Sequence, residues 1–373
     1  MEAMRPTEAV VDLSKVAHNV ETLAASIAPA ELCAVVKADG YGHGAVAVAR
    51  TAMASGASSL AVALVEEGIE LREHGVEAPI LVLSEPRPKE MVEVVAHDLV
   101  PSVYTGAGLA AAAAAAETNR GGPLDVQLLM DTGMRRVGAS PDETLRLADA
   151  IAKKPYLRLD GVWTHCAVAD EPDAAATDEQ LDLFEAGLAK LEEAGHTGFK
   201  VHAGNSAVAL GHRRGHFDMV RCGIATYGIA PSPALANALD LRPAMAVTSE
   251  VSFVKRVQPG DRISYGHRHE FERATVVATI PIGYADGVRR SYWRLGGEVL
   301  IRNQPRRIVG TVTMDQIMVD CGPDSDVAVG DPVVVMGAQD TERISAENIA
   351  EKLGTIPYEV VCDVGRRVRR RYL

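Results

Sequence analysis

Short apolar runs alternate with longer amphipathic stretches between Ala34 and about Tyr227. The amphipathic stretches include Glu66–His74, Pro141–Lys153 and Asp178–Ala194 and predict helices. Repeated strand–helix units favour a parallel sheet with helices outside, and eight units match a (β/α)8 barrel. A doubly wound open sheet is the alternative, although no GxGxxG motif follows the first strand to support it. The predicted strands are Ala34–Lys37, Leu60–Leu64, Ile80–Leu83, Val100–Val103, Val126–Met130, Leu159–Thr164, Val201–Ala203 and Met219–Arg221.

The pattern changes after about Pro231, where runs rich in Val, Ile and Thr are separated by Gly-Asp and Gly-Pro steps. This pattern predicts a mostly β domain. We expect a barrel domain over residues 1–233 and a β-rich C-terminal domain over 234–373. A further strand near residues 8–13 is a candidate for pairing with the C-terminal domain. The predicted C-terminal strands lie within Met245–Val257, Ala274–Ile280, Val299–Ile301, Arg307–Val312 and Pro332–Met336.

Composition narrows the classes of partner. The net charge of −12 argues against binding to nucleic acid or to an anionic membrane. The arginine-rich tail Arg366–Arg371 is the exception, and we interpret it as a solvated, salt-bridged terminus. No segment is long and apolar enough to span a bilayer, and Ala110–Ala116 predicts a helix.

The five cysteines are far apart and form no CxxC pair, so neither a zinc site nor a disulfide framework is expected. Met1–Leu13 has no apolar core of signal-peptide length. Together these features favour a cytoplasmic protein without a bound metal.

The most informative segment runs from Ala34 to Gly44, AVVKADGYGHG. An apolar strand leads to Lys37, and a glycine-rich turn containing Tyr41 follows. A lysine at the mouth of a barrel is a candidate for a pKa lowered by desolvation, and such an amine can form a Schiff base. The glycines would let the backbone approach a bound group closely.

This segment resembles the cofactor-lysine motif of alanine racemases, AVVKAxxYGHG. Further family motifs follow in the family's order, so the resemblance covers nearly the whole chain. The family joins a barrel to a β domain, in agreement with the organisation predicted above. These motifs are Asp131–Gly138 (DTGMRRVG), Thr164-His165, His202–Ser206 (HAGNS), Arg221–Ile224 (RCGI), Ser264–Gly266 (SYG), Ile282–Gly287 (IGYADG) and Met314–Gln316 (MDQ).

The resemblance implies that Lys37 holds pyridoxal phosphate covalently and is one of two racemisation bases. It also assigns the cofactor phosphate to Tyr41, Ser206 and the backbone of Gly223 and Ile224, with Asn205 beside them. Ser206 would also suit the N-cap of a helix over Ala207–Leu210, and a helix N-terminus is itself a good phosphate site.

By the same resemblance, Arg221 is the partner of the pyridine nitrogen and Tyr265 is the second base. A guanidinium stays protonated and leaves that nitrogen without a proton, which weakens the ring as an electron sink and favours racemisation. In the family the tyrosine comes from the other subunit and touches a histidine. Here that histidine would be His165, linked through Arg221 to His202.

Arg136 resembles the clamp for the substrate carboxylate, and the Met314 backbone N–H would bind the same group. Tyr284 would line the entrance, and Asp315 would support the Met314 segment. The expected assembly is a homodimer in which Tyr265 and Met314 complete the partner's site.

Two positions depart from the family pattern. Many members carry a carbamylated lysine that orients the arginine clamp, and here that position is Leu129, so Arg136 must be oriented by an anion, another side chain or packing. Many members also place a tyrosine near the phosphate after the segment Tyr358–Cys362. Here the aligned residue is Arg366, which either replaces that contact or leaves the phosphate with one ligand fewer.

The expected activity is interconversion of L- and D-alanine, supplying D-alanine for peptidoglycan. A racemase that also accepts serine or lysine is an alternative. A diamino-acid decarboxylase of the same architecture is another: Cys362-Asp363 matches its Cys-Asp step, but Arg221 argues against it. A non-catalytic carrier of pyridoxal phosphate is a third, and it would leave the C-terminal domain and Tyr265 unexplained.

Overall fold

The computed structural model describes residues 5–118 and 122–373. Residues 1–4, part of the N-terminal stretch considered above, lie outside this description. Contacts divide the chain into two compact units. The barrel unit is Lys15–Pro243, and the β unit joins residues up to Ser14 to Ala244–Leu373.

The barrel unit contains one sheet of eight parallel strands in the order β8-β7-β6-β5-β4-β3-β2-β9. Strand β1 (Glu8–Val11) precedes them in the chain and belongs to the β unit. The eight strands are β2 (Glu31–Val35), β3 (Ser59–Val62), β4 (Ile80–Val82), β5 (Val100–Val103), β6 (Leu124–Leu129), β7 (Leu157–Trp163), β8 (Lys200–His202) and β9 (Met219–Cys222).

Helices separate these strands along the chain, as a barrel of β/α units requires. The helical segments of this part of the chain are α1 (Leu13–Ile27), α2 (Lys37–Tyr41), α3 (Ala45–Ala54), α4 (Val65–Glu73), α5 (Met91–Ala96), α6 (Gly106–Glu117), α7 (Pro141–Ala152), α8 (Ala176–Glu193) and α9 (Ser206–Gly211).

Backbone hydrogen bonds bring the two ends of the sheet together. Asp218 N donates to Val201 O over 3.0 Å, and Arg221 N donates to Gly204 O over 2.9 Å. The sheet is thus a nearly closed barrel, and the predicted (β/α)8 class is confirmed. Each of the eight predicted strands has a counterpart, with ends that differ by at most a few residues.

Helix α7 illustrates why these sequences form these elements. Ser140 caps its N-terminus by accepting a hydrogen bond from Glu143 N, and proline occupies the first turn, where its missing N–H costs nothing. Its buried residues recur at helical spacing, which turns one face towards the strands. They are Thr144, Leu147, Ala148 and Ile151.

The β unit is built on a ten-stranded sheet in the order β11-β14-β17-β16-β15-β18-β10-β1-β20, with β19 paired to β18. Strands β12 and β13 form a separate pair. The strands are β10 (Met245–Glu250), β11 (Phe253–Val257), β12 (Arg262–Ile263), β13 (His269–Glu270), β14 (Thr275–Ile280), β15 (Glu298–Ile301), β16 (Gln304–Ile308), β17 (Ile317–Gly322), β18 (Pro332–Gln339), β19 (Glu342–Ile344) and β20 (Arg369–Tyr372), and two helices accompany them, α10 (Ala346–Leu353) and α11 (Pro357–Cys362).

The first and last strands of the chain pair within this unit. β1 runs antiparallel to β10 and parallel to β20, with Glu8 opposite both Thr248 and Arg369. The arginine-rich tail is therefore partly a strand, which the sequence did not predict. Its side chains are largely exposed, in agreement with its interpretation as a solvated, salt-bridged terminus. Arg371 does pair with Glu8, over 2.7 Å.

One predicted C-terminal run, Met245–Val257, is two strands, because the chain leaves β10 at Glu250 and enters β11 at Phe253. The mostly β character of the C-terminal part is confirmed. Within the described residues, no helix is both long enough and apolar enough to cross a membrane.

Candidate active site

Lys37 follows β2 at the carboxyl end of the barrel strands, where barrel enzymes place their chemistry. The prediction that it ends the strand is wrong by two residues, because β2 stops at Val35 and Lys37 opens a turn. From Ala38 to Tyr41 every φ is positive, between 51° and 60°. Three of these four residues are not glycine, so the turn is strained.

Side-chain carboxylates stabilise this turn. Glu67 Oε1 accepts a hydrogen bond from Ala38 N over 2.6 Å, and Asp39 Oδ1 accepts one from Ala45 N over 2.9 Å. Glu67 also accepts from Ala63 N and Leu64 N at the start of α4. The sequence did not single out Glu67, although the structure makes it the support of the lysine loop.

Arg221 lies on β9 with only 3% of its surface exposed. Its Nη1 donates to His202 Nδ1 over 2.6 Å, and its Nη2 donates to the carbonyl oxygens of Thr164 and Ala203. A longer contact of 3.4 Å joins Nη2 to His165 Nδ1. The structure thus places the guanidinium between the two predicted histidines.

The electrostatics keep both histidines neutral. Burial and the charges of Arg221, Arg136 and Lys37 lower the pKa of His165 to about 3. Burial and Arg221 lower the pKa of His202 well below its ordinary value. Burial also lowers the pKa of Arg221 to about 10, so its guanidinium remains charged at neutral pH.

The residues predicted to hold the phosphate come together beside β9. Ser206 Oγ accepts hydrogen bonds from Gly223 N over 2.9 Å and from Ala225 N over 3.3 Å. A side-chain carbon at Gly223 would lie 2.3 Å from Tyr41 Oη, so only glycine fits there. Ile224 opens a 3-10 helix, Ile224–Tyr227, so its N–H has no partner within that helix.

The alternative role of Ser206 as an N-cap is wrong. Asn205 caps α9 instead, because its Oδ1 accepts from Ala207 N and Val208 N over 3.0 Å each. Ser206 is the first helical residue, and its hydroxyl points its lone pairs at the Gly223 loop. The Gly223 N–H is therefore engaged by Ser206 in this structure.

Arg136 is exposed at the end of the Asp131–Gly138 loop and makes no hydrogen bond or ion pair with the described residues. Leu129 is 4% exposed in β6, where its backbone oxygen accepts from Ala139 N. The apolar Leu129 side chain offers Arg136 no polar contact. The described residues hold no partner that orients this arginine.

Tyr265 and Met314 lie in the β unit and are unusually exposed for large apolar residues, at 71% and 50%. They line a common concavity formed by segments 263–267 and 313–316. Ser264 has a φ of 63°, and its Oγ donates to Thr311 O over 2.5 Å, which fixes the turn that carries Tyr265.

Backbone contacts tie the Tyr284 segment to the Met314 segment. Tyr284 N donates to Thr313 O over 3.0 Å, and Ala285 N donates to Met314 O over 3.1 Å. A side-chain carbon at Gly283 would lie 2.4 Å from these same two carbonyl oxygens, so the close approach requires glycine.

Ion pairs among charged residues also stabilise the Tyr284 and Met314 segments. Asp286, 2% exposed, binds both guanidinium nitrogens Nη1 and Nη2 of Arg5, over 2.8 and 2.6 Å. Arg367 reaches Asp286 over 3.3 Å and Asp315 over 2.7 Å. Sequence reasoning missed Arg5 and did not identify the partners of Arg367, since an arginine in the sequence does not indicate which distant carboxylate it pairs with.

Two further residues singled out in the sequence, Arg366 and Asp363, lie near the C-terminus. Arg366 is exposed and makes no hydrogen bond or ion pair with the described residues. Asp363 of the Cys362-Asp363 step is bound to Arg289 over 2.5 Å. The carboxylate that matched a decarboxylase motif is thus engaged within the β unit.

Comparison with known proteins covers the chain from end to end. The family model for the alanine racemase N-terminal domain matches residues 11–231, and the model for the alanine racemase C-terminal domain matches residues 244–372. A curated alanine racemase of Symbiobacterium thermophilum is 44% identical over 374 residues, covering 100% of this chain and 98% of the relative.

Solved structures agree with this comparison. The alanine racemase of D-cycloserine-producing Streptomyces lavendulae has a TM-score of 0.94 at 38% identity, covering 100% of this chain and 98% of the other. The alanine racemase of E. faecalis has a TM-score of 0.93 at 38% identity, with 100% of both chains covered. The chain therefore belongs to the alanine racemase family.

Proposed function

We propose that this chain is a pyridoxal-phosphate-dependent alanine racemase that interconverts L- and D-alanine. The full-length similarity to curated alanine racemases supports the activity. The observation that carries the proposal is Arg221, a buried cation whose two Nη atoms both donate hydrogen bonds and whose Nε has no acceptor among the described residues. An arginine in this position separates racemases from decarboxylases, which place an acidic group at the pyridine nitrogen.

The donor set of the barrel unit fits pyridoxal phosphate. Its phosphate would be bound by the hydroxyls of Tyr41 and Ser206 and by the N–H of Ile224, all of which can donate to an anion. Ser206 accepts two backbone hydrogen bonds, so its own proton remains to be donated outwards. Lys37 would hold the aldehyde, and Arg221 Nε would face the ring nitrogen.

When bound, pyridoxal phosphate supplies an aldehyde that joins an amine and a conjugated ring that accepts the electron pair left by the α-proton. Lys37 would take that proton on one face of the amino acid, and Tyr265 would return one on the other. Arg221 stays charged and would leave the ring nitrogen of a bound cofactor unprotonated. This limits electron withdrawal, so return of the proton to Cα is favoured over side reactions.

Arg136 would bind the alanine carboxylate through two parallel hydrogen bonds, and the Met314 N–H would bind the same group. The links from Tyr284 and Ala285 to the Met314 segment would hold that N–H in place. Neutral His165 and His202 would keep the positive charge on Arg221, since neither takes a proton from it near neutral pH.

The activity is tested by incubating the purified protein with L-alanine and measuring D-alanine with a D-amino-acid oxidase assay. Lys37→Ala should lose turnover, and a fully active Lys37→Ala protein would contradict the proposal. L-serine and L-lysine define the breadth of specificity. Release of carbon dioxide from lysine or ornithine would instead favour the decarboxylase, and bound cofactor without any turnover would favour a carrier.

A homodimer is part of the proposal, with Tyr265 and Met314 of one subunit completing the site of the other. Their exposure, and that of Tyr284, in one unit supports a surface that a partner covers. We further propose that the enzyme acts in the cytoplasm and supplies D-alanine for peptidoglycan.

Mixed dimers test the shared site directly. Lys37→Ala and Tyr265→Phe proteins should each fail to racemise alanine, and they are unfolded and refolded together. If each site takes Lys37 and Tyr265 from different subunits, half of the sites in mixed dimers are intact, which restores about a quarter of wild-type activity. Mixed dimers that form without any recovery would show that both residues act within one subunit.

A further inference from the structure

A chain of hydrogen bonds runs outwards from Arg221 through the interior of the barrel unit. Arg221 Nη1 contacts His202 Nδ1 over 2.6 Å, and His202 Nε2 contacts Gln127 Oε1 over 2.9 Å. Gln127 Nε2 then donates to Asp160 Oδ2 over 2.8 Å. His202 and Gln127 are 0% and 5% exposed, so water offers them no substitute partner.

The direction of every bond in this chain is fixed from its two ends. A guanidinium can only donate and a carboxylate can only accept. Arg221 therefore requires a lone pair on Nδ1 of His202, and Asp160 requires the amide N–H of Gln127. Gln127 then presents its carbonyl oxygen to His202, which must carry its proton on Nε2. Both ends demand the same tautomer.

The backbone is shaped to make this contact possible. The pairing of β6 with β7 shifts between Val126 and Gln127, where Val126 lies opposite Leu159 and Gln127 lies opposite Gly161. Asp160 is the extra residue at this bulge and is turned towards Gln127. A side-chain carbon at Gly161 would lie 2.9 Å from Gln127 Cδ, so glycine leaves the room that Gln127 occupies.

We propose that Gln127, anchored by Asp160, is a positioning residue that fixes the tautomer and orientation of His202 and through it the guanidinium of Arg221. The proposal rests on the proposed function, because it assigns Arg221 to the cofactor ring. The Trp163 ring stacks on the His202 ring, with an angle of 8° between the two planes. The same Trp163 ring lies 4.6 Å from the Arg221 guanidinium. His202 is thus held by a hydrogen bond at each ring nitrogen and by the stacking of Trp163 on one face of its ring.

The first readout is the proton on His202 itself. The protein as purified is labelled with 15N-histidine, and the His202 signal is assigned by its loss in His202→Gln. We expect Nε2 protonated and Nδ1 unprotonated in the wild-type protein. In Gln127→Leu and in Gly161→Ala the Nε2–H signal should lose its hydrogen-bond shift, since the first removes the acceptor and the second displaces it.

The second readout separates positioning from substrate binding. A buried donor without an acceptor is unfavourable, and we expect kcat to fall about tenfold in both variants. The KM for alanine should change by less than about twofold, because the carboxylate clamp Arg136 is not part of the chain of bonds. Asp125→Ala is the matched control, because it removes an aspartate from the same strand pair. Among the described residues Asp125 binds only the surface residue Arg158, so this variant should leave both readouts unchanged.

Two results would overturn the proposal. One is a wild-type His202 that carries its proton on Nδ1, a measurement that needs no variant to fold. The other is a Gln127→Leu protein that matches Asp125→Ala in both the Nε2–H signal and kcat. The tautomer is observed in the protein itself, so a failure to racemise alanine would leave this first part of the test intact.

Discussion

Arg221 and His202 are joined inside the barrel unit by a hydrogen bond of 2.6 Å from a guanidinium nitrogen to an imidazole nitrogen. A cation that donates to an imidazole prevents that imidazole from taking a proton. Buried His202 and half-buried His165 are therefore both neutral beside a charged arginine, and this has a consequence for stability in acid.

Acid should weaken the fold through these histidines. The pKa of His165 is lowered by burial from 6.5 to about 3, so between these values the unfolded chain binds a proton that the folded chain does not. Stability is complete above pH ~6.5 and is lost as the pH falls towards 3, by up to about 1.4 kcal/mol per pH unit for each such histidine. Urea unfolding at pH 7 and pH 5 measures the slope, and His165→Gln should reduce it. An identical slope in that variant would contradict the prediction.

Loss of the Tyr265 hydroxyl should remove racemisation without destabilising the protein. Tyr265 is 71% exposed, so Tyr265→Phe should leave the melting temperature unchanged. Because Lys37 still serves one face, we expect α-proton exchange with deuterated water for one enantiomer of alanine and not for the other. NMR of the recovered alanine measures this. Tyr156→Phe is the control and should racemise as the wild type does; equal exchange into both enantiomers in Tyr265→Phe would exclude it as the second base.

Arg136→Lys should affect substrate binding more than turnover. A lysine cannot form two parallel hydrogen bonds with a carboxylate, so the KM for alanine should rise about tenfold to a hundredfold. Arg136 is exposed and has no hydrogen-bond or ion-pair partner within residues 5–118 and 122–373, so stability should not change. Arg135→Lys is the matched control, since its neighbouring guanidinium pairs only weakly with Asp131 over 3.5 Å. Equal KM values for the two variants would remove Arg136 from the clamp.

Asp286→Asn should destabilise the β unit. Burial alone would raise the pKa of Asp286, but hydrogen bonds from Arg5 and Gly283 and the charges of Arg5 and Arg367 outweigh it and lower the pKa. Removing the carboxylate leaves Arg5 without its anion and Arg367 with Asp315 alone. We expect this to cost on the order of 3 kcal/mol at pH 7.

Urea unfolding checks this value, with Asp125→Asn as a surface control that should cost less than about 1 kcal/mol. Because the folded pKa of Asp286 is lowered, its contribution is present above the ordinary carboxyl pKa and is lost as the pH falls through the lowered value. A difference between Asp286→Asn and wild type that stayed constant down to acid pH would contradict the assignment.

The barrel could be predicted because its strands are buried on both faces and appear as continuous apolar runs. Val100–Val103 is matched residue for residue. The end of β2 could not be placed, since the left-handed turn after Lys37 begins at Ala38, a residue type that rarely adopts a positive φ.

Strand β20 was missed for a different reason. Its side chains are mostly arginine, and its pairing with β1 depends on backbone groups that any residue provides. The site residues that the sequence did not suggest contact partners that are far away in the sequence. Gln127 donates to Asp160 at the β-bulge, and Arg5, near the N-terminus, binds Asp286 in the C-terminal part of the chain. Such contacts have no local pattern.

The covalent role of Lys37 is the central claim, and it can be tested without measuring turnover. The protein is loaded with pyridoxal phosphate, reduced with borohydride and digested, and the peptides are analysed by mass spectrometry. We predict a pyridoxyl group on Lys37 in the wild type and none on this peptide in Lys37→Ala. A cofactor-loaded wild-type protein whose Lys37 peptide remains unlabelled after reduction would contradict the account.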